Sequence, residues 1–378
     1  MTSLSIEVGV MWLSLHRCKF LSTTFFQRCT LSNVTTIRPS TRPRLSEVAA
    51  LAGVSEKTVS NVINNYPHVT ERTRSKVESA LTELNYRPNL SARSLASGRT
   101  GFIALAVPGL DNPYFAELAG HVIQAAAAQN WTVLIEQTGG STATESQVVG
   151  GVMPYLVDGI VLHPEALSAA ELTARMDSTP IVLIGEKSLD HVVDHVAADN
   201  VAAAHDLTSH LLSTGRRRIA VVGIERDTEF TTSALRFEGY SSALANAGIA
   251  LDPDLAVVVD NFKRADGVDA VNQLMALPNP PDAIICFNDV IAVGALSRLN
   301  AMGIDVPGAI AVAGFDNLDE TLYTAPPLTT IAWDTRRIAE EAIALLAARQ
   351  GGEQRPQQEV SVGYDLVVRG STATAARP

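Results

Sequence analysis

The sequence predicts an all-α helix-turn-helix head followed by an α/β body of two doubly wound parallel-sheet lobes. Three observations carry this. Residues 45–76 hold two short apolar-periodic segments, Leu45–Leu51 and Val59–Ile63, joined by "AGVS". From Gly101 onward, continuous apolar runs of strand length alternate with amphipathic stretches, the pattern of parallel strands covered on both faces. There are eight such runs, which divide more naturally between two lobes than within one.

Composition sets the bounds. The 378 residues, 46% hydrophobic and 18% charged, suffice for two or three domains with full cores. No apolar run reaches the ~20 residues of a membrane span, so no membrane partner is expected. The start, "MTSLSIEVGVMWLSL", lacks a basic n-region and a small-residue cleavage site. Cys18, Cys29 and Cys286 do not make a disulfide framework and read as reduced thiols. The net charge of −11 is unevenly spread. Residues 44–100 carry eight Lys/Arg against five Glu, residues 1–43 five against one, and the remainder holds −18. A mildly basic module on an acidic body suits contact with a polyanion through the module alone.

Residues 1–43 show no sustained period and read as a disordered extension, or as the product of a start codon placed too far upstream. Residues 44–88 form the head. Ala49 and Ala52 permit close helix approach, Gly53 supplies the positive φ of the turn, and Val54 and Val59 face inward. Ser55 caps the second helix. Glu56, Lys57 and Asn61 are left outward, where a recognition helix aims side chains into a major groove. Thr58 and Ser60 stand near the helix start as phosphate donors. The competing reading is a plain three-helix bundle with a solvated polar face. A third helix over Glu71–Leu84 is capped by Thr70, with Arg72, Arg74 and Lys76 as phosphate candidates.

In the body the strand runs are "FIALAVP" (102–108), "WTVLIEQ" (131–137), "GIVLHP" (159–164), "PIVLIGE" (180–186), "IAVVGI" (219–224), "AVVVD" (256–260), "AIICFND" (283–289) and "IAVAGFD" (310–316). Between them lie helical stretches such as Phe115–Gln129, Ala202–Leu212, Phe237–Ala247 and Val290–Met302. Ligands in such folds sit at the carboxyl ends of strands, which makes Asn112, Phe115 and His163 candidates. Glu186 follows the fourth strand, and Asp199–Asn200 stand where the chain is set to cross between lobes.

"LSEVAALAGVSEKTVSNVIN", "VTERTRSKV" and "YRPNLSARSL", in order and at family spacing, resemble the DNA-binding head of the lactose/galactose repressor (LacI/GalR) family. The resemblance continues through "PPLTTI" (326–331) and leaves only the first 43 residues outside. It implies that Glu56, Lys57 and Asn61 read bases, Lys57 at guanine O6/N7, Asn61 at adenine and Glu56 at cytosine N4. Many members carry Arg at the third position, so the operator cannot be borrowed from a relative. Ser55, Thr58, Ser60, Asn64, His68 and Thr73 match backbone-contact positions. Asn64 can instead be a C-cap and His68 a surface histidine.

Residues 89–100 match the hinge helix and linker, with Asn89, Ala92 and Leu95 at DNA. Leu95 is the wedge that enters the central minor-groove step, in a helix too short to be stable alone.

The body resembles periplasmic sugar-binding proteins and spans 101–370, leaving 371–378 as a tail. "TTSALRFEGY" places Arg236 on ligand hydroxyls or a ligand carboxylate, with a lobe-stabilising salt bridge as the alternative, Phe262 matches a stacking aromatic, and Asn288 and Asp316 match two polar contacts. Asp289 and Asp316 can instead be helix N-caps, and Phe262 a core residue.

The resemblance implies a cytoplasmic, nucleoid-associated dimer that binds double-stranded operator DNA and a small-molecule effector, a sugar by preference. The alternatives are a corepressor-dependent regulator sensing a non-sugar metabolite, and a solute-binding receptor, which leaves 44–98 unexplained. "STATAARP" holds no leucine heptads, so a dimer rather than a tetramer is expected. Dinucleotide, P-loop, HExxH and G-x-S-x-G motifs are absent, so neither catalysis nor a metal or other cofactor is expected.

Overall fold

A computed structural model describes residues 43–87, 98–187, 189, 192–225 and 231–373. They fall into two units, divided between Pro88 and Asn89. Asn89, Ala92 and Leu95 of the expected hinge helix, and the cysteines Cys18 and Cys29, lie outside the described residues.

The first unit has three helices: α1 (Leu45–Ala52), α2 (Glu56–Ile63) and α3 (Glu71–Glu83). The first ends at Gly53, whose φ of 66° lets its N–H fold back onto the Ala49 and Ala50 carbonyls. Ser55 Oγ accepts the Thr58 N–H at 3.2 Å and opens α2 two residues later. Thr70 does the same for the Thr73 N–H at the start of α3. Val48, Val59 and Val77 are fully buried, with Ala49, Ala52, Val62 and Ala80 beside them. The small alanines let three short helices approach closely enough to share so slight a core. Ser55→Ala is expected to lower the stability of this unit by about 1 kcal/mol. Thermal unfolding of residues 43–87 followed by circular dichroism measures it, and an unchanged midpoint contradicts the capping role.

The second unit runs β1 (Phe102–Val107), α4 (Pro113–Ala128), β2 (Thr132–Gln137), α5 (Thr142–Gly150), α6 (Met153–Leu156), β3 (Ile160–Leu162), α7 (Ala169–Thr173), β4 (Ile181–Ile184) and β5 (Asp194–Ala198). It continues with α8 (Asn200–Ser213), β6 (Ile219–Ile224), α9 (Thr232–Asn246), β7 (Ala256–Val258), α10 (Arg264–Met275), β8 (Ala283–Cys286), α11 (Asp289–Ala301), β9 (Ala311–Phe315) and β10 (Thr329–Trp333). The last elements are α12 (Thr335–Gln350), β11 (Glu359–Val362) and β12 (Tyr364–Val367).

Two six-stranded sheets result, in orders β11-β5-β4-β3-β1-β2 and β12-β10-β9-β8-β6-β7. The first is parallel throughout. In the second only β12 runs antiparallel, beside β10. Central strands are apolar on both faces because helices cover both. In the first lobe Ile103, Leu105 and Val107 meet α4 and α12, while Ala104 and Ala106 meet the side that holds Val148 and Leu172. The edge strand β2 differs, since Leu134 and Ile135 are exposed.

The chain crosses between lobes three times. After β5 it enters the second lobe at α8, which packs on α9. After β10 it returns as α12, which packs on α4 and beneath β4 and β5. Between β11 and β12 it crosses once more at Gly363. Asp199 and Asn200 therefore stand at a crossing, as their position implied.

The second lobe extends past residue 370. Ser371 and Thr372 are fully buried. The Ser371 N–H donates to the Pro327 carbonyl at 2.9 Å, and its carbonyl accepts from Val312 at 3.1 Å. A Ser-Thr pair reads as tail chemistry, yet here both hydroxyls bond inside the lobe, to Val312 and to Thr329.

Candidate functional sites

On the head, the inward face of α2 is held by Val59 and Val62. That fixes what remains outward. Glu56 and Lys57 are exposed at the helix start, and Asn61 is half-buried one turn further. Ser55, Asn64 and His68 are exposed, while Thr58, Ser60 and Thr73 are half-buried. Ser55 caps α2 and its hydroxyl meets that of Thr58, while the Thr73 hydroxyl meets that of Thr70, the cap of α3, so these hydroxyls are oriented by the helix ends. Asn64 Nδ2 donates to Ser60 Oγ at 3.4 Å, which supports the C-cap reading of Asn64.

Arg74 departs from expectation. Its guanidinium bonds Asn65 Oδ1 and the Tyr66 carbonyl, both at 3.2 Å, and so ties down the turn before α3. Arg72 and Lys76 stay exposed. The sequence reading passed over Tyr66, which is exposed and meets His68 edge-on at 5.4 Å. An aromatic in a polar turn between two helices was the available signal.

In the body a cleft of about 690 Å³ lies between the lobes, lined by the loops after β1, β3, β4, β6 and β8. The loops after β1 and β3, and after β6 and β8, flank the points where strand order reverses, where doubly wound sheets take ligands. All seven expected effector residues line it: Asn112, Phe115, His163, Arg236, Phe262, Asn288 and Asp316.

Several have a second duty. Asn112 Oδ1 caps α4 through the Tyr114 N–H at 3.1 Å. Asn288 Oδ1 caps α11 through Ile291 at 2.8 Å. This corrects Asp289, which is no cap. It lies fully buried and accepts from Leu318 N–H at 2.9 Å and Thr330 Oγ1 at 2.8 Å. Asp316 is no cap either. It accepts the Trp333 indole N–H at 3.2 Å. Phe262 combines both readings, packing on the second lobe's core while lining the cleft, with a φ of 54°.

The centre of the cleft floor is Arg236, which is buried. Its Nε donates to Asn200 Oδ1 at 2.7 Å, and Nη1 donates to the Phe287 carbonyl. Nη2 stands 3.9 Å from Asp316, and the guanidinium lies 4.3 Å from the Phe315 ring centroid. Glu186, from the first lobe, accepts from Asn200 Nδ2 at 2.8 Å and from Thr232 Oγ1 at 2.7 Å, across the lobe boundary.

Burial pushes the Glu186 carboxyl upward, but His163, Arg236 and the bonds from Thr232 and Asn200 outweigh it and hold it below the usual range. Burial also lowers the His163 imidazole, against the pull of Glu186 and Glu145. Burial raises Asp316 above the carboxylate range despite Arg236 and Trp333.

His163 Nδ1 is buried without a partner among the described residues, and its ring meets Phe115 edge-on at 5.0 Å. Gly185, at a φ of 94°, makes room for that ring. A Cβ there would come within 2.5 Å of Nε2.

The sequence reading missed Glu165. Glu145 is fully buried in α5, and its carboxylate accepts the N–H groups of Glu165, Ala166 and Leu167. That shapes the loop so that Glu165 lines the cleft. The enclosing protein, then Glu145, Glu225 and Glu186, push its carboxyl up to about 7, although water reaches it through the cleft. At the mouth, Lys263 of the second lobe pairs with Asp111 of the first, and both are exposed.

No group of metal-ligating side chains, and no helix long and apolar enough to cross a membrane, occurs among the described residues. Cys286 is a free, buried thiol that burial raises.

Residues 44–89 match the family described as bacterial regulatory proteins, lacI family, and residues 208–372 match a periplasmic binding protein-like domain. The HTH-type transcriptional repressor CytR of Escherichia coli (strain K12) is 32% identical over 337 residues, covering 89% of this chain and 98% of that protein. The HTH-type transcriptional repressor PurR of Photobacterium profundum is 31% identical over 329 residues, 86% of this chain and 98% of that one. A solved complex of the transcriptional regulator CelR with cellobiose is 31% identical, with a TM-score of 0.64 over 87% of this chain and all of that chain.

Proposed function

This chain belongs to the lacI family of bacterial regulatory proteins, and from that premise we propose that it is a cytoplasmic, dimeric repressor whose operator affinity is set by a sugar. As a member of the family it is a DNA-binding transcriptional regulator. The observation that carries the proposal for specific residues is the outward placement of Glu56, Lys57 and Asn61 on a helix whose other face is locked in a core. Each head reads one half-site, and ligand closure of the two body lobes biases the pairing of the two copies. Operator and effector then change each other's affinity by the same factor.

The homodimer is supported by the exposed edge strand β2. Leu134 and Ile135 there, with Ile123 on the adjoining α4, form an apolar edge in the first lobe. An unpaired strand edge of this kind is a template for pairing with another chain. Light scattering of the intact protein should give the mass of a dimer, and a monomer or tetramer refutes the assembly.

The experiment that tests the regulator reading is operator selection from random duplexes with the intact chain. A pseudo-palindrome is expected. Lys57→Ala should then weaken the selected site by about 1–3 kcal/mol and relax preference at one base pair per half-site. A uniform loss over all sequences, with a smaller salt slope, makes Lys57 a phosphate contact instead.

A further inference from the structure

We propose that the cleft is built for an uncharged, hydroxyl-rich ligand and excludes anionic ones, the phosphate esters and acids of sugars included. This rests on reading the cleft as the effector site and narrows what enters it.

Charge is the first argument. Six carboxylates line the cleft among the described residues, against Lys187, Arg236 and Lys263. All three cations are engaged by the protein. Lys187 Nζ donates to the Glu165 carbonyl at 3.0 Å. Lys263 pairs with Asp111 at the mouth. Arg236 is held by Asn200, the Phe287 carbonyl and Asp316. Anion sites depend on guanidinium, ammonium or helix N-terminal N–H groups left for the ligand. Of the helix N-termini at this cleft, those of α4, α9 and α11 each already hold an acceptor from their own cap, Asn112, Thr231 and Asn288.

Two of the acids on the cleft floor are engaged as well. Glu186 accepts from Asn200 and Thr232, and Asp316 from Trp333 beside Arg236. What remains toward a ligand is neutral or weakly polar. Asn112 and Asn288 each keep amide capacity at the cleft wall, and the buried Nδ1 of His163 has no protein partner among the described residues. Phe115, Phe262 and Trp333 add aromatic surface. Amide groups, an imidazole nitrogen and rings together satisfy hydroxyls and a C–H face.

Glu165 is the residue that sets the exclusion. It is exposed to the cleft, and its backbone is fixed by Glu145. Above about pH 7, where its carboxyl is ionised, a ligand anion entering beside it meets a like charge.

The test uses the intact protein and paired probes: glucose with glucose 6-phosphate, ribose with ribose 5-phosphate, cellobiose with cellobionate. Calorimetric titration is expected to show an uncharged member binding at least tenfold more tightly than its anionic counterpart. At pH 8, where Glu165 is mostly ionised, Glu165→Gln should close that gap by about tenfold through the anion's affinity, the size of one screened charge. An anionic member binding more tightly overturns this inference and leaves the effector reading standing. A gap unchanged by Glu165→Gln removes Glu165 as its cause and overturns the charge argument. Binding by no member overturns the sugar reading and this inference together.

Discussion

Arg236→Ala should lower the unfolding free energy of the body by about 3–5 kcal/mol and abolish the response to effector. The size follows from what the guanidinium leaves behind. Asp316 loses its cation, Asn200 Oδ1 and the Phe287 carbonyl lose donors, and the Phe315 and Trp333 rings lose the charge beside them. A buried charge pair broken on one side costs far more than one replaced on both. The double variant Arg236→Ala, Asp316→Asn should therefore recover part of the loss. Denaturant unfolding of wild type, both single variants and the double variant completes the cycle. Additive losses would mean that Arg236 and Asp316 are not coupled, and that packing on the rings dominates.

The second large effect lies far from the cleft. Asp194 is buried at the start of β5 and accepts from Arg349 through two bonds at 2.8 and 2.9 Å. Arg355 adds a bond at 3.0 Å, and the Gln358 N–H one at 2.8 Å. The carboxylate thus ties β5 to α12 and to the strand that completes the sheet. Asp194→Ala should cost about 3 kcal/mol at neutral pH, near the lower end for such pairs because both arginines retain some access to water.

Burial pushes the Asp194 carboxyl upward, but Arg349, Gln358 and Arg355 outweigh it and hold it below the usual range. A carboxylate so depressed contributes stability that is full above its unfolded value of about 3.9 and is lost as pH falls through its native value. The difference between wild type and Asp194→Ala should then shrink in the acid limb, below about pH 4. A difference that stays constant from pH 7 to pH 3 would remove the charge from the explanation.

The eight strands readable in the sequence are continuous apolar runs, whereas β10, equally buried, opens on Thr329 and Thr330 and was not among them. Continuous burial writes itself as a continuous apolar run. Strand β5 escaped because "DHVAA" opens on Asp194 and His195, both buried. Their partners, Arg349 and Arg355 for one, Gly185 and Glu359 for the other, are distant in sequence. Strands β11 and β12 escaped because edge strands alternate in burial and one glycine separates them.

The same divide holds for the sites. Glu56, Lys57 and Asn61 were legible because helical period alone decides which way they face. Arg74 was not, since the turn that brings it Asn65 and Tyr66 is a tertiary result. Arg236 was legible through its resemblance-bearing segment, but its engagement by Asn200 was not. Glu165 had no local signal at all, because its loop is shaped by a carboxylate twenty residues away.

The three crossings between lobes have a consequence for synthesis. The first lobe starts near Gly101 and reaches β5 by Ala198, yet its covering helix starts at Thr335 and its last strand ends at Val362. At ribosomal rates of roughly 5–20 residues per second, the delay is on the order of ten to thirty seconds. During that interval the surface of β4 and β5 destined for α12 is bare, while the second lobe is being made. The nascent chain therefore carries an uncovered apolar sheet face through much of its translation, a target for the chaperones that wait at the ribosome exit. The earlier-born lobe is the one that waits longest for its closing elements.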